Sequence, residues 1–291
     1  MVTQTMSIDD YFIPRNVKDA LLLLEKGEKG YYILSGGTSL AFSKPKGIKG
    51  IVDLSRSGLD YIKKQKDGIH IGAATPVSEL IKNPLFSSYF GGVAKEAALN
   101  LATTPLRNLI TIGGNVLRIY LWSNLPVLFL SLGARFKTAS KNDDAFFEAD
   151  EFFSSQPLPR LKNGRILKEI ILPPDDKAAK GAFLKFSLTK TDFALLNVAA
   201  VLWIRKGKCT KARIAIGAAS PLPMRLIKAE EVLTNAVLTQ EVISTAAKVG
   251  AQSIKPLRDF RVSDDYKSRI APALIESCLI SAWKKFHKDN A

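Results

Sequence analysis

Cysteine and histidine are scarce in this chain, with two of each among 291 residues. Cys209 and Cys278 exclude a disulfide framework and are too few to hold an iron–sulfur cluster or a structural zinc ion. His70 and His287 argue equally against a histidine-based metal site, and neither fits a serine–histidine–aspartate pattern. Redox chemistry here would therefore need an organic cofactor, or metals that a partner protein holds.

Long apolar runs are also lacking. The longest, residues 193–204, is interrupted by Asn197 and falls short of the roughly 18–20 residues of a membrane-spanning helix. The first ten residues have neither the basic region nor the apolar region of a signal peptide. We therefore expect a cytoplasmic protein with no membrane span.

Acidic residues are outnumbered, with 27 Asp and Glu against 42 Lys and Arg, which gives a net charge of +15. Nucleic-acid binding is one interpretation of this excess. The basic residues fall in small groups such as residues 63–66 and 205–208, without a stripe that alternates with aromatics. This pattern favours a basic solvated surface over nucleic-acid binding. A face for an acidic partner or an anionic cofactor is a third interpretation.

Two glycine-rich segments are the strongest functional signal. They are Ser35-Gly36-Gly37-Thr38-Ser39 and Thr111-Ile112-Gly113-Gly114-Asn115, and each follows an apolar run. Glycine permits positive φ and lets backbone N–H groups approach an anion closely. Neither segment matches a Walker A loop or the nicotinamide-type fingerprint. Together they predict paired loops around one diphosphate, and the alternative is two ordinary turns or a capped helix end.

The pattern of apolar residues predicts an α+β fold with three units, over residues 1–57, 58–176 and 177–291. The third unit is a three-stranded antiparallel sheet packed by helices. In the middle unit we expect Thr75 to cap a helix that starts at Pro76, and turns, short strands and a connector over 138–175. The other predicted elements are strands 31–34, 51–54, 68–75, 134–137, 182–188, 195–205 and 209–219 and helices 92–102, 125–132, 227–233, 239–255 and 266–286.

The order of short motifs resembles the FAD-binding subunit of the molybdenum hydroxylases. That family includes the medium subunit of bacterial carbon monoxide dehydrogenase and the flavin domain of xanthine dehydrogenase. The motifs that carry the resemblance are Tyr11-x-x-Pro14 and residues 34–40, 51–54, 71–75, 106–115, 183–186, 192–194, 197–199, 212–218, 221–225 and 229–233. They span nearly the whole chain in the family's order.

The resemblance implies an FAD molecule between the two N-terminal subdomains, with its diphosphate held by both glycine-rich segments. The implied FAD-binding residues are Leu34, Ser35, Gly36, Gly37, Thr38, Ser39, Leu40, Ala73, Thr75, Arg107, Thr111, Gly113, Gly114, Asn115, Arg118, Ser123, Asn124 and Lys185. Lys185 is alternatively a lysine on a strand edge. No residue of this chain resembles a nucleophile, a general base or a metal ligand.

The family also implies partners. A large subunit with molybdopterin would oxidise the substrate, and a small subunit with [2Fe-2S] clusters would pass electrons to the FAD of this chain. The FAD would then reduce NAD or another acceptor, so the chain would be an oxidoreductase subunit.

The chain departs from the family after Asn115. The family usually has small residues there, followed by Pro-x-x-Asp or Pro-x-Ser-Asp. This chain has the bulky Arg118, Tyr120 and Trp122, and Asn124 stands where the acidic residue is expected. The aromatic residues would stack on the flavin, block its site or pack in the core. A scaffold subunit that keeps the fold and has lost FAD is therefore an alternative function.

Overall fold

A computed structural model describes residues 8–27, 30–43, 47–161 and 164–288 of the chain. The sequence also predicts a Lys/Pro/Gly turn before the strand at 51–54, and this turn lies partly outside the described residues. The described residues form three sheets, and they are mixed helix and strand throughout. This confirms the predicted α+β class.

The first sheet is parallel, with the order β1-β3-β2. Its helix α1 begins after Asn16, whose side chain accepts a hydrogen bond from the backbone N–H of Asp19. Ala20 and Leu21 of that helix pack on Val52 of the sheet. The elements are β1 (Asp10–Phe12), α1 (Val17–Lys26), β2 (Tyr31–Leu34), α2 (Thr38–Ser43) and β3 (Gly50–Asp53), followed by a 3₁₀ turn (Leu54–Arg56).

The second sheet has five strands, all antiparallel to their neighbours, in the order β4-β5-β8-β6-β7. Its strands are β4 (Ile62–Gln65), β5 (Gly68–Gly72), β6 (Arg135–Ala139), β7 (Asp144–Glu148) and β8 (Ile166–Leu172). The helices around it are α3 (Glu79–Lys82), α4 (Leu85–Ser88), α5 (Val93–Leu99), α6 (Thr104–Leu109), α7 (Ile112–Leu117), α8 (Asn124–Leu132), α9 (Ala149–Phe152) and α10 (Pro157–Arg160), with a 3₁₀ turn at Tyr89–Gly92.

One expectation for this unit is incomplete and another is wrong. Residues 138–175 contain the expected turns and short strands, but they are more than a connector, because the nearly fully buried β8 is the central strand of the sheet. Thr75 does not cap a helix, since α3 begins only after Ser78. The Thr75 hydroxyl instead donates to the carbonyl of Tyr61 (3.0 Å) and accepts from its N–H (3.1 Å). These two hydrogen bonds to Tyr61, the residue before β4, hold Thr75 in place at the end of the turn that follows β5.

The third sheet has four antiparallel strands in the order β12-β11-β10-β9, so the prediction of three strands is wrong. The added strand has two residues, which pair with Ala215 and Ile216, and such a short strand leaves no alternating pattern in the sequence. The elements are β9 (Ala179–Phe186), β10 (Leu196–Arg205), β11 (Lys208–Gly217), β12 (Met224–Arg225), α11 (Ile227–Leu233), α12 (Gln240–Gln252) and α13 (Asp264–Lys288). The three predicted C-terminal helices are confirmed.

Contacts across the units place the N-terminal helices on the C-terminal sheet. Helix α8 is buried along its whole length and packs on β10 and β11. Lys285 of α13 reaches Glu96 of α5, with 2.6 Å between Nζ and Oε1. No helix among the described residues is long and apolar enough to cross a membrane.

Candidate cofactor site

The first glycine-rich segment offers a row of free backbone donors. It connects β2 to α2, and Gly37 has a φ of +69°, in the left-handed region that suits glycine. Within the described part of the chain, the N–H groups of residues 36–40 have no hydrogen-bond acceptor; only the next one, of Ala41, bonds back to Gly37. The segment is half-buried. Converging unpaired N–H groups of this kind bind oxyanions.

The second glycine-rich segment is the start of a helix and not an open loop. Thr111 caps α7, and its Oγ1 accepts from the N–H of Gly114 at 3.2 Å. The N–H of Asn115 bonds to the carbonyl of Thr111 at 3.0 Å. The backbone N–H groups of residues 112–115 are therefore satisfied within the protein. The sequence alone does not separate this arrangement from a phosphate-binding loop.

Ala73 and Thr75 hold that helix start in place. The N–H of Gly113 donates to the carbonyl of Ala73 (2.8 Å), and the N–H of Ile112 donates to the carbonyl of Thr75 (2.9 Å). A Cβ on Gly113 would lie 2.6 Å from the Ala73 oxygen, so the close approach requires glycine. These two residues thus contribute through their backbones, from the turn that follows β5.

The two glycine-rich segments lie against each other. A Cβ on Gly36 would lie 1.7 Å from the carbonyl oxygen of Leu109 and 3.3 Å from the backbone nitrogen of Thr111. The hydroxyls of Ser39 and Tyr120 are 2.8 Å apart and add a hydrogen bond between the first segment and the residues after α7. The fold therefore brings residues 35–40 and 111–115 together in one site.

Two of the predicted cations are engaged elsewhere. Arg107 donates to the carbonyls of Leu101 (2.9 Å) and Ala102 (2.8 Å), which fixes the turn before α6. Lys185 donates to the carbonyls of Lys190 (2.9 Å) and Asp192 (2.8 Å). Burial lowers the pKa of Lys185, and the charge of Asp192 acts against that shift. Both side chains therefore shape loops around the site.

Arg118 is the cation left at the site. It follows α7 directly and is half-buried. Its backbone N–H bonds to Gly114, but its guanidinium group has no hydrogen-bond or ion-pair partner among the residues that the structure describes. An arginine without a partner is suited to pair with a phosphate.

Ser123 and Asn124 are buried and structural in this arrangement. Ser123 accepts from the N–H of Tyr120 at 3.0 Å. Asn124 donates to the carbonyl of Asn100 at 2.9 Å and accepts from the side chain of Asn197 at 2.9 Å. An aspartate could not donate to that carbonyl, which gives a physical reason for an amide at this position.

Comparison with known proteins identifies the cofactor of the chain. Residues 4–175 match the family model described as the FAD binding domain in molybdopterin dehydrogenase, and residues 181–282 match the CO dehydrogenase flavoprotein C-terminal domain. The chain belongs to this family of FAD-binding subunits. It is an oxidoreductase subunit of the xanthine dehydrogenase and CO dehydrogenase type, and its cofactor is FAD.

The relatives are similar over almost their whole length. The chain is 28% identical to the 6-hydroxypseudooxynicotine dehydrogenase complex subunit alpha of Paenarthrobacter nicotinovorans, over 94% of each chain. It is 26% identical to the carbon monoxide dehydrogenase medium chain of Hydrogenophaga pseudoflava, over 95% of this chain and 97% of the relative. A solved structure of the carbon monoxide dehydrogenase from that organism matches with a TM-score of 0.90 and 26% identity, over 97% of this chain and 99% of the other.

The residues of this FAD-binding chain fit the cofactor. The row of free N–H groups at residues 36–40 suits its diphosphate. Among the described residues Oδ1 of Asn115 is buried without a donor, and FAD carries hydroxyl groups that would supply one. No group of three or more His, Cys, Asp or Glu in the described ranges could hold a metal ion.

The aromatic residues after α7 form a stack beside the first glycine-rich segment. The rings of Tyr120 and Trp122 are 5.5 Å apart and nearly parallel, at 5°. Trp122 lies 4.4 Å from Phe193, at 26°. Phe193 is not among the predicted site residues, and its only signal in the sequence was its place in the motif 192–194. The stack thus joins the FAD-binding segments to the C-terminal unit.

Proposed function

We propose that this chain is the electron-transfer flavoprotein subunit of a molybdopterin-containing dehydrogenase or hydroxylase complex. Its partners are a large molybdopterin subunit, which oxidises the substrate, and a small subunit with [2Fe-2S] clusters. Relatives named as medium chains and as a subunit of a dehydrogenase complex support this division of labour. The route ends on NAD or another acceptor, and the cytoplasmic location expected from the sequence is part of the same proposal.

The observation that carries the proposal is the row of unpaired N–H groups at residues 36–40, pressed against the start of α7. In the proposed function these groups bind the diphosphate and Arg118 balances its charge. Ala73, Thr75 and Thr111 hold α7 beside them, as described above. When bound, FAD supplies redox chemistry that links one-electron clusters to a two-electron acceptor.

Loading of purified chain with FAD tests the cofactor site. We expect Gly37→Ala to weaken FAD binding at least about tenfold, because alanine disfavours the positive φ that orients the N–H groups. Gly58→Ala is the matched control, since Gly58 also has positive φ (+75°) and no atom within 4 Å of an added Cβ. We call the backbone N–H groups of residues 36–40 the cradle. Equal FAD affinity in both variants would contradict the assignment of the cradle to the diphosphate.

The electron route is tested in the assembled complex. The chain is co-expressed with candidate large and small subunits, and the purified complex is mixed anaerobically with substrate. The proposal expects the visible flavin absorbance to bleach and to return when NAD or another acceptor is added. A complex whose clusters are reduced while the flavin stays oxidised would rule out this route.

A further inference from the structure

The aromatic stack of Tyr120, Trp122 and Phe193 runs away from the FAD cradle in a definite direction. It starts at Tyr120, whose hydroxyl is hydrogen-bonded to Ser39 within the row of free donors. It passes through Trp122 and ends at Phe193, whose side chain is 55% exposed. The stack therefore runs from the first glycine-rich segment to the C-terminal unit.

The two ends of the stack are held differently. Phe193 is fixed through its backbone, because the guanidinium of Arg261 donates to its carbonyl at 2.7 Å. Arg261 is in turn paired with Asp259 at 3.0 Å. Tyr120 and Trp122 lie in the short turn between α7 and α8, closed by the hydrogen bond from Ser123 N–H to the carbonyl of Tyr120. Among the described residues no hydrogen bond joins Trp122 to Phe193, so ring stacking alone closes the contact between them.

We propose that Tyr120 and Trp122 form a gate that closes on Phe193 and that must open for the flavin ring to bind; this rests on the proposed function. Opening breaks the Trp122–Phe193 stacking and the hydrogen bond between Tyr120 and Ser39. The free energy needed to break those contacts weakens the observed affinity for FAD, as in any protein whose binding-competent form is the minor population. Weakening the gate therefore tightens and accelerates FAD binding.

A ligand without the flavin ring separates the gate from the cradle. ADP carries the diphosphate but no isoalloxazine, so it needs the N–H groups of residues 36–40 and not the space that the stack covers. Variants that weaken the Trp122–Phe193 contact should change FAD binding and leave ADP binding within about twofold. An effect shared by both ligands would instead indicate damage to the cradle.

The test compares Trp122→Ala and Phe193→Ala with the wild-type chain, using flavin fluorescence for FAD and calorimetry for ADP. The free energy of one aromatic stacking contact corresponds to about threefold to tenfold tighter FAD binding in each variant. We expect this gain to come from faster association. Phe146→Ala is the matched control, because Phe146 is a phenylalanine of β7 with 53% exposure. Because Phe193 is mostly exposed, we expect Phe193→Ala to fold. That variant therefore tests the gate even if Trp122→Ala fails to fold.

Each outcome is decisive. Faster and tighter FAD binding in Phe193→Ala, with the Phe146→Ala control unchanged, supports the gate. Unchanged affinity, or weaker binding through faster dissociation, overturns it; in the latter case the stack is a platform for the ring and the proposed function stands. Failure of FAD to bind to the wild type and to every variant overturns the proposed function and the gate together.

Discussion

Gly36 is the residue where the two glycine-rich segments come closest. Its role does not depend on positive φ, because the constraint is the carbonyl of Leu109, 1.7 Å from where a Cβ would stand. A side chain there would push the segments apart, and the row of N–H groups would move away from the start of α7. Gly36 therefore couples packing to FAD binding.

We expect Gly36→Ala to lower the free energy of unfolding by about 1–3 kcal/mol, as overpacking does, and to weaken FAD binding. Gly207→Ala is the control, because Gly207 has a φ of +76° in the hairpin between β10 and β11 and nothing near an added Cβ. That variant should lose about 1–2 kcal/mol through backbone strain alone and keep its FAD affinity. Denaturant unfolding and FAD titration measure both. Full FAD affinity in Gly36→Ala would disprove the coupling.

His70 makes stability depend on pH. Its ring lies 2.8 Å from Asp67 (Nε2 to Oδ1) and 3.0 Å from Glu169 (Nδ1 to Oε1). Burial lowers the pKa of His70, but these two carboxylates outweigh it and raise the pKa above its ordinary value. The stabilisation is therefore complete below the unfolded pKa of about 6.5 and is lost as pH rises through the raised pKa of the folded chain.

We expect His70→Asn to reduce the fall in Tm between about pH 6 and pH 8, measured by differential scanning calorimetry. His287→Asn is the control, because it removes the other histidine without touching Asp67 or Glu169. A pH dependence that is the same in His70→Asn as in the wild type would show that this cluster does not set it.

At the scale of elements, the second glycine-rich segment forms the N-terminal cap and first turn of helix α7. Its first turn is fixed by the Thr111 cap, and its position is fixed by Ala73 and Thr75. Helix α12 offers a comparison, because Thr239 caps it with the same 3.2 Å bond, to the N–H of Val242. The two caps are alike locally, but only that of α7 lies beside the first glycine-rich segment.

We expect Thr111→Val and Thr239→Val each to cost about 1 kcal/mol of stability, the usual value of an N-cap. Only Thr111→Val should also weaken FAD binding, because a frayed first turn no longer supports residues 36–40. Chemical denaturation gives the stability and fluorescence titration gives the affinity. Equal effects of the two substitutions on FAD binding would contradict the role assigned to α7.

The elements also show what the sequence could predict. Helices such as α8 and α11 have clear apolar patterns and were predicted almost to the residue. Strand β12 was missed, because two residues become a strand only through pairing with Ala215 and Ile216. For helix α7 the sequence favours a loop over its alternative, a capped helix end, because a Gly-Gly pair has low helix propensity and the bonds to Ala73 and Thr75 that hold it are tertiary.

The candidate site, too, can be predicted from the sequence only in part. The glycine-rich segments and their order were visible in the sequence, and the structure shows that they meet at Gly36. The partners of Arg107 and Lys185, both backbone carbonyls in nearby turns, were not visible. Whether these and the other predicted residues contact FAD stays a prediction.

At the scale of the whole molecule, Lys285 links the C-terminal helix to the N-terminal region. Its Nζ lies 2.6 Å from Oε1 of Glu96, and it also donates to the carbonyls of Gly91 (2.9 Å) and Gly181 (2.7 Å). These bonds join α13, α5 and β9. The division of the chain near residues 57 and 176 stays a prediction, but the units do not pack independently.

We expect Lys285→Met to lower the free energy of unfolding by about 2–3 kcal/mol, because it leaves Glu96 and two carbonyls without their charged donor. Lys284→Met is the matched control on the neighbouring, exposed position and should be nearly neutral. Urea unfolding monitored by tryptophan fluorescence measures both. Equal stabilities of the two variants would exclude this link between the units.

The central claim is that the backbone of residues 36–40 binds the diphosphate of FAD. The most direct measurement is a crystal structure of the full chain with FAD bound. The account predicts phosphate oxygens within about 3 Å of those N–H groups, with α7 alongside. A diphosphate bound elsewhere, with these N–H groups facing solvent or protein, would contradict it.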